Sequence, residues 1–461
     1  MLRQRPTQYI LLIVSLGLYL FITYQLQRHE SALLISSFTA LFAFYCWIYV
    51  NAEEHEVTFW TYASVLLRLS FLLVLPTLSD DFYRFIWDGR LLVNGYHPFA
   101  DTPSHYIQEG INSRGIDQEL YSKLNSPNYV TIYPPVPQFI FWIAAIVSPN
   151  SISGSVMVMR LSVLIAEIGN IVLINRLLKE FNLPQKTILL YALNPLVILE
   201  LTGNLHHEAF MILFVLAAVY LLNVNLVMSG ISFGIAICVK LLPVLFIPVL
   251  IRRLGWKKGV VFSATASLVC LLLFYPLMSL DIVKGYTTSV GYYLSYFEFN
   301  ASLYYLVREF GFLIYNYNII QTVGWKLVTI AALLILFYST SNFFRKKIGI
   351  EGLHENSSEQ SLLLDFVVIL LIYFLFTTTL HPWYVTSLLA FSIFTTFRFP
   401  LIWTYVIFLT YIGYAVDSFQ ENLWIVLFEY LAVFSFLAFE LYNLKMDQKV
   451  NQSRSKKQNR L

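Results

Sequence analysis

About a dozen long, mostly apolar runs are strung along this chain, and that repetition leaves few folds open. They cover roughly 8–24, 31–50, 60–78, 157–178, 186–202, 207–223, 259–278, 321–342, 362–379, 383–397, 400–416 and 424–442. A helix needs about 20 such residues to cross a bilayer. In hydrocarbon every backbone N–H and C=O must be satisfied within the protein, so spans of this length are helical. Of 461 residues 58% are hydrophobic and only 12% charged, half the roughly 25% of a soluble domain. The expected fold is an all-α polytopic transmembrane helical bundle of about 12–14 membrane segments. A net charge of +3 is far from the basic excess of a nucleic-acid binder, so nucleic acid is not an expected partner. Cys46, Cys238 and Cys270 lie inside apolar runs without ligand spacing, against a disulfide or metal framework.

Charge patterning orients the spans. Basic clusters occur at Arg3/Arg5, Arg176/Lys179/Lys186, Arg252/Arg253/Lys257/Lys258, Arg345/Lys346/Lys347 and from Lys449 to Arg460. The positive-inside rule places them all in the cytoplasm, with both termini. The first apolar stretch has no small-residue cleavage site after it and reads as an uncleaved anchor. The helix over 157–178 must then run inward, which puts 134–149 at the outer surface rather than across the membrane. The run 229–251, interrupted by Lys240 and Pro243, reads as two half-helices with their tip outside. The outer face therefore collects the long segment 79–156, the turn 203–208, the tip at Lys240, the segment 279–320 and the turn 380–384.

The polar chemistry lies in those loops. Asp80, Asp81, Arg84, Asp88 and Arg90 fall within eleven residues, and ionisable groups beside hydrocarbon usually mark function. Helical spacing gives Asp81 an internal partner in Arg84 and leaves Asp80 freer to act as a general base on an attacking hydroxyl. The plain alternative is a helix cap with a solvated ion pair. Asn94-Gly95-Tyr96-His97-Pro98 is a turn that lines a site or merely connects. Tyr133-Pro134-Pro135 opens the surface helix, with Tyr133 the residue able to touch substrate. Asn204, His206, His207 and Glu208 suit hydrogen bonding to a substrate better than metal ligation, because a second ligand set is not visible. Lys240 is the one charge between Glu208 and Arg252; it either snorkels or holds a lipid phosphate. Arg160 shares a helix face with Glu167 and Asn170, as an internal ion pair or a second phosphate ligand. His381, Trp383 and Tyr384 interrupt two apolar helices and suit a leaving phosphate and a sugar face.

Taken together these segments resemble the GT-C superfamily of integral-membrane glycosyltransferases, and within it the bacterial polyprenol-phosphate-mannose-dependent mannosyltransferases. The resemblance rests on Ser79-Asp80-Asp81 through Trp87-Asp88-Gly89-Arg90 into Gly95-Tyr96-His97-Pro98-Phe99. It continues through Tyr133-Pro134-Pro135, Arg160-Leu161, Ala192-Leu193-Asn194-Pro195-Leu196, Val239-Lys240-Leu241-Leu242-Pro243 and His381-Pro382-Trp383-Tyr384. The family's Gly-Asn-x-His-x-Asp pattern reads Gly-Asn-Leu-His-His-Glu here, so Glu208 departs from it.

That resemblance implies a catalytic base at Asp80 or Asp81, with Asp80 preferred. Substrate would meet Arg84, Asp88, Arg90, His97, Tyr133, Arg160, Asn204, His206, His207, Glu208, Lys240, His381, Trp383 and Tyr384. It implies a polyprenyl-phosphate-sugar donor, most often mannose, and a hydroxyl of a glycan or glycolipid acceptor. Transfer would invert configuration outside the bacterial cytoplasmic membrane. No organic cofactor is implied; some members use a divalent metal. Residues 1–59 would be two added spans, 60–443 the catalytic core and 444–461 a disordered basic tail. A flippase of lipid-linked sugars is the alternative from another class, although transporters show paired halves that this sequence lacks. A surface-glycan polymerase or ligase with a diphosphate-linked donor is the other.

Overall fold

The computed structural model describes residues 5–111, 113–341, 358–415 and 419–458. Among them the chain is helical with no named strand, apart from two isolated bridges, and it forms the expected all-α membrane bundle. Seven helices are long and apolar enough to cross a bilayer: Pro6–Tyr24, Ser31–Asn51, Ile152–Glu180, Leu242–Leu277, Ile320–Thr340, Glu359–Phe376 and Leu423–Met446. Four shorter apolar helices accompany them: Pro135–Val147, Glu208–Leu221, Leu226–Val239 and Phe399–Tyr414. The basic cluster at 345–347 lies outside the described residues. The last helix continues as Leu423–Gln458, so the stretch expected to be a disordered tail is helical over its described part.

Several expected spans are shortened or broken, each by an identifiable residue. Val57–Leu69 stops where Arg68 turns into the protein to meet Glu167 at 2.9 Å, both fully buried. The apolar run 186–202 is a bent pair, Gln185–Ala192 and Pro195–Gly203, inclined at 49°. Asn194 caps its second half by accepting from the N–H groups of Leu196 and Val197, and Pro195 occupies the first helical position, where its missing N–H costs nothing. Pro135–Val147 has 13 residues, or about 20 Å, too short to cross. It packs along Asp81–Val93, and Gly89 makes the crossing close: a Cβ there would lie 2.2 Å from the Phe141 carbonyl oxygen.

Lys240 stands at the break after Leu226–Val239. The helical run Ile247–Phe274 that follows contains Gly255 at φ +74, a left-handed conformation natural to glycine. Ile251 and Gly259 meet across it: a Cβ on Gly259 would lie 2.9 Å from the Ile251 Cα. The chain therefore doubles back at Gly255, so Leu242–Leu277, continuous as a helical run, is two segments packed against each other rather than one straight span. Cβ atoms on Gly230 and Gly234 would meet Phe262–Thr265 and Ala266–Val269 respectively, so Leu226–Val239 and the second half of the run lie side by side and parallel. Lys240 is the tip of a helical hairpin. Arg253, read from sequence as a topology signal, also grips the buried Asp365 at 2.6 Å.

The N-terminal helices are part of the main core. Tyr19, Ile22, Leu34 and Phe38 are buried with residues from the centre and the end of the chain, and Phe38 stacks on Phe408 at 3.7 Å.

Candidate active site

Four distant stretches of sequence meet in one cleft. Asp81–Val93 begins at its floor; Asp80 takes the N-cap position but makes no capping hydrogen bond through its side chain. The bent pair ends in a π-helical turn, Ile198–Gly203, a rare form that recurs at functional sites. Leu205 follows at φ +65 and is fully buried, a strained conformation for a residue with a branched side chain. This tight reversal brings His206, His207 and Glu208 to the cleft. Lys240 enters from its hairpin tip and His381, Trp383 and Tyr384 from the short turn after Ser358–Phe376.

The cleft has two contiguous chambers. The wider, about 280 Å³, is lined by Arg28, Asp80, Asp81, Arg84, Tyr411 and Tyr414, with an aromatic wall that includes Tyr129, Tyr292 and Phe299. The narrower, about 130 Å³, is lined by His206, His207, Glu208, Lys240 and Tyr384. Asp81, Tyr133, His381 and Trp383 line both. Beyond Lys240 and Tyr384 an apolar groove of about 360 Å³ continues along Leu241, Leu242, Leu245, Leu294 and Tyr373.

The charges in these chambers are arranged in pairs. Lys240 is ion-paired with Glu208 and sits 3.4 Å above the Tyr384 ring, a cation–π contact strengthened by desolvation. Arg28 binds Asp80 at 2.6 Å and lies over Tyr414. Asp81 accepts from the Asn125 amide at 2.7 Å. Burial pushes its carboxyl above the usual carboxylate range, opposed by nearby His206 and by the Asn125 hydrogen bond. His381 is pushed down to about 3 by burial and by His206 and Lys240, so it is a neutral hydrogen-bonding group. Trp383 stacks on His206 at 3.6 Å and on His381 at 4.3 Å.

The geometry corrects several expectations. Arg84 pairs with Asp88 at 2.8 Å, not with Asp81, and donates to the carbonyls of Ser126 and Tyr129. Asp88 is fully buried and also accepts from Gln138. Arg84 thus reaches the wide chamber only as the brace of its wall, and Asp88 lines neither chamber. Arg90 holds the Gly115 carbonyl and His97 the Leu277 carbonyl, both away from the cleft. Asn204 is turned inward to Glu200. Arg160 is buried and donates to the carbonyls of Phe71, Val74, Thr202 and Gly203. Its guanidinium satisfies orphan carbonyls at two helix ends; it is no phosphate ligand and makes no pair with Glu167, which belongs to Arg68.

Sequence reasoning missed Arg28, Asn125, Glu200 and Tyr411. Glu200 carried a readable signal, a carboxylate inside an apolar run. Arg28 and Asn125 carried none, because polar residues in loops are unremarkable until the fold aims them. Among the described residues no group of three His, Cys, Asp or Glu side chains is placed to hold a metal ion.

Fold and cleft together define a class: a multi-pass helical membrane protein whose polar residues converge on a chambered site opening toward an apolar groove. The chain belongs to the MptA/B family, whose model, described as alpha-(1->6)-mannopyranosyltransferase, N-terminal domain, matches residues 12–255. That match begins within the first helix and ends at the Gly255 reversal. The chain is also similar to alpha-(1->6)-mannopyranosyltransferase A of Mycobacterium tuberculosis (strain ATCC 25618 / H37Rv), 27% identical over 227 residues. The similarity covers 46% of this chain and 42% of that protein, so the chain spans less than half the length of this curated relative.

Proposed function

We propose that this protein is an inverting glycosyltransferase that moves mannose from a polyprenyl-phosphate donor to a hydroxyl of a glycan or glycolipid acceptor, outside the cytoplasmic membrane. The observation that carries this reading is the position of Asp81, on the boundary between a chamber rich in aromatic rings and one lined by Lys240 and three histidines. Aromatic faces suit a sugar, so the wide chamber takes the acceptor. Cationic and N–H groups suit a phosphate, so the narrow chamber takes the donor's head, and the adjoining groove its prenyl chain. The resemblance to mannosyltransferases supports mannose as the sugar.

Asp81, rather than Asp80, is the base in this proposal. Asp80 is committed to Arg28, whereas Asp81 faces both chambers and is held by a neutral amide. The acceptor hydroxyl oxygen attacks the anomeric carbon and its proton passes to Asp81. The bond from that carbon to the phosphate oxygen breaks, and the polyprenyl phosphate leaves with the bonding electrons. Attack opposite the leaving group inverts the carbon.

The test is transfer of labelled mannose from polyprenyl-phosphate-mannose by full-length protein in detergent micelles, with crude membrane glycolipids as acceptor. Asp81→Asn should lower turnover by about 10²–10⁴, and Asp80→Asn far less. Parent-like turnover by Asp81→Asn together with a dead Asp80→Asn would move the base by one residue. No transfer by the parent from any polyprenyl-phosphate hexose would overturn the donor class. A flippase, which needs two compartments, would be inactive in micelles.

A further inference from the structure

Between the aromatic wall of the wide chamber and the span Ile320–Thr340 runs a helix that the catalytic reading does not use, Leu303–Tyr315. Its 13 residues extend about 20 Å, too short to cross a bilayer. One stripe of it is apolar and exposed. Leu306, Phe310, Leu313, Ile314 and, just past its end, Tyr317 recur at helical spacing and are all more than half exposed, Leu313 at 80%. The charge flanking the stripe, Glu309, is ion-paired with Arg308 at 3.0 Å. The opposite face belongs to the protein. Tyr304 and Tyr305 are buried, and a Cβ on Gly311 would lie 2.7 Å from the Ile319 side chain.

Both ends of this helix lie at one depth. Just before it, the Phe299 N–H donates to the Thr378 carbonyl at 3.1 Å and the Leu380 N–H to the Phe299 carbonyl at 2.8 Å. Just after it, Gly324 near the start of the span is also beside Thr378, because a Cβ there would lie 3.7 Å from the Thr378 methyl carbon. Thr378 follows the cleft-side end of Ser358–Phe376. The helix therefore runs along the rim of the bilayer on the cleft's side. Trp325 and Lys326, next in the span, are exposed, and these are residue types that sit at headgroup level. The stripe leads from there into the lipid-facing Ile330 and Leu333.

We propose that Leu303–Tyr315 is an interfacial helix that lays its apolar stripe in the leaflet on the cleft's side and thereby holds the aromatic wall of the wide chamber in place. An amphipathic helix of this kind binds a lipid surface through its apolar area. The links to the wall run through the buried face. The Tyr304 hydroxyl lies 2.6 Å from one Glu298 oxygen and Arg308 grips the other, also at 2.6 Å. Tyr305 donates to Glu421, which also accepts from the Asn300 N–H at 2.5 Å. Glu298 stands between Phe297 and Phe299, which both line the wide chamber, and Phe299 packs 4.7 Å from His381. The wall's part in holding the acceptor rests on the function proposed above; the helix's place in the bilayer does not.

The experiment is power-saturation electron paramagnetic resonance on full-length protein in phosphatidylcholine–phosphatidylglycerol nanodiscs. Nitroxide labels are placed at Leu306→Cys, Leu313→Cys, Leu333→Cys and Glu119→Cys, and the parent, labelled in parallel, gives the background from native cysteines. Leu333 is the lipid reference and Glu119, with its side chain 76% exposed, the water reference. Labels at 306 and 313 should relax with oxygen as the Leu333 label does, and little with a water-soluble nickel chelate. Nickel relaxation as strong as at Glu119 would put the stripe in water, and protection from both reagents would put a protein on it; either result overturns the inference. Coupling to the wall is read from a label at Phe297→Cys and from transfer of labelled mannose in the same discs. Tyr304→Phe with Tyr305→Phe cuts the links and keeps the stripe. It should free the Phe297 label, leave the depth at 313 unchanged and raise the KM for acceptor about twofold to tenfold, the worth of an aromatic contact, with the KM for donor unchanged. Phe310→Asp with Leu313→Asp, at exposed positions, should free the same label and raise the same KM. An unmoved Phe297 label in both double variants would overturn the coupling. A parent that transfers no mannose while the labels behave as expected would sink the catalytic reading and leave the interfacial helix standing.

Discussion

At the scale of single residues, the site depends on which carboxylate is claimed by a cation. Asp80 and Asp81 are neighbours in sequence, yet Arg28 neutralises one and Asn125 only hydrogen-bonds the other. Burial raises the Asp81 carboxyl above the usual range, which suits a base whose proton affinity must approach that of its surroundings. The sign of the pH effect follows directly. The base must be ionised, so kcat/KM falls as pH drops through the Asp81 value, and this acid limb lies above that of an ordinary aspartate. A profile of labelled-mannose transfer against pH checks it; a limb at ordinary carboxylate pH would remove Asp81 from the role. The neighbouring Arg84 shows why pairing was illegible from spacing. It stands three residues after one carboxylate and four before another, and both distances are neighbours on a helix. The fold chose Asp88 because that face is buried against Gln138, where an unpaired charge is expensive.

At the scale of elements, close approaches set the cleft's shape. The Trp87-Asp88-Gly89-Arg90 segment carries charge on one face and close packing on another, where Gly89 meets Phe141. Gly89→Ala would press a methyl group into the Phe141 carbonyl, and overpacking of this kind costs about 1–3 kcal/mol. The variant should melt at lower temperature in detergent. Because Arg84 and Asp88 share that helix, its transfer rate should fall as well. Parent-like melting would show that the two helices separate without strain. The π turn and the Gly255 reversal belong to the same scale. Apolar periodicity announces a helix but is silent on a one-residue bulge or a change of direction, since neither alters which residues are apolar. Proline and asparagine at 194–195 did mark the bend, because their backbone preferences act locally.

At the scale of the whole molecule, the N-terminal pair of helices decides whether the site is complete. Read as an addition ahead of the core, these helices bury Tyr19, Ile22, Leu34 and Phe38 against it and deliver Arg28 to Asp80. Deleting residues 1–56 should abolish mannose transfer and sharply reduce monodisperse protein on size exclusion. A truncated chain with parent-like activity would make the pair dispensable.

What this sequence determined by itself was the menu of parts. Hydrocarbon tolerates only helices with internally bonded backbones, so composition and run length specify the class. Charge next to such runs is costly enough that Asp80–Asp81, His206–Glu208, Lys240 and His381 drew notice before any fold was known. Only the tertiary structure decided the partners: Arg28 for Asp80, Glu167 for Arg68, four carbonyls for Arg160. Electrostatic pairing acts over a few ångströms in space, and separation along a chain carries no record of it.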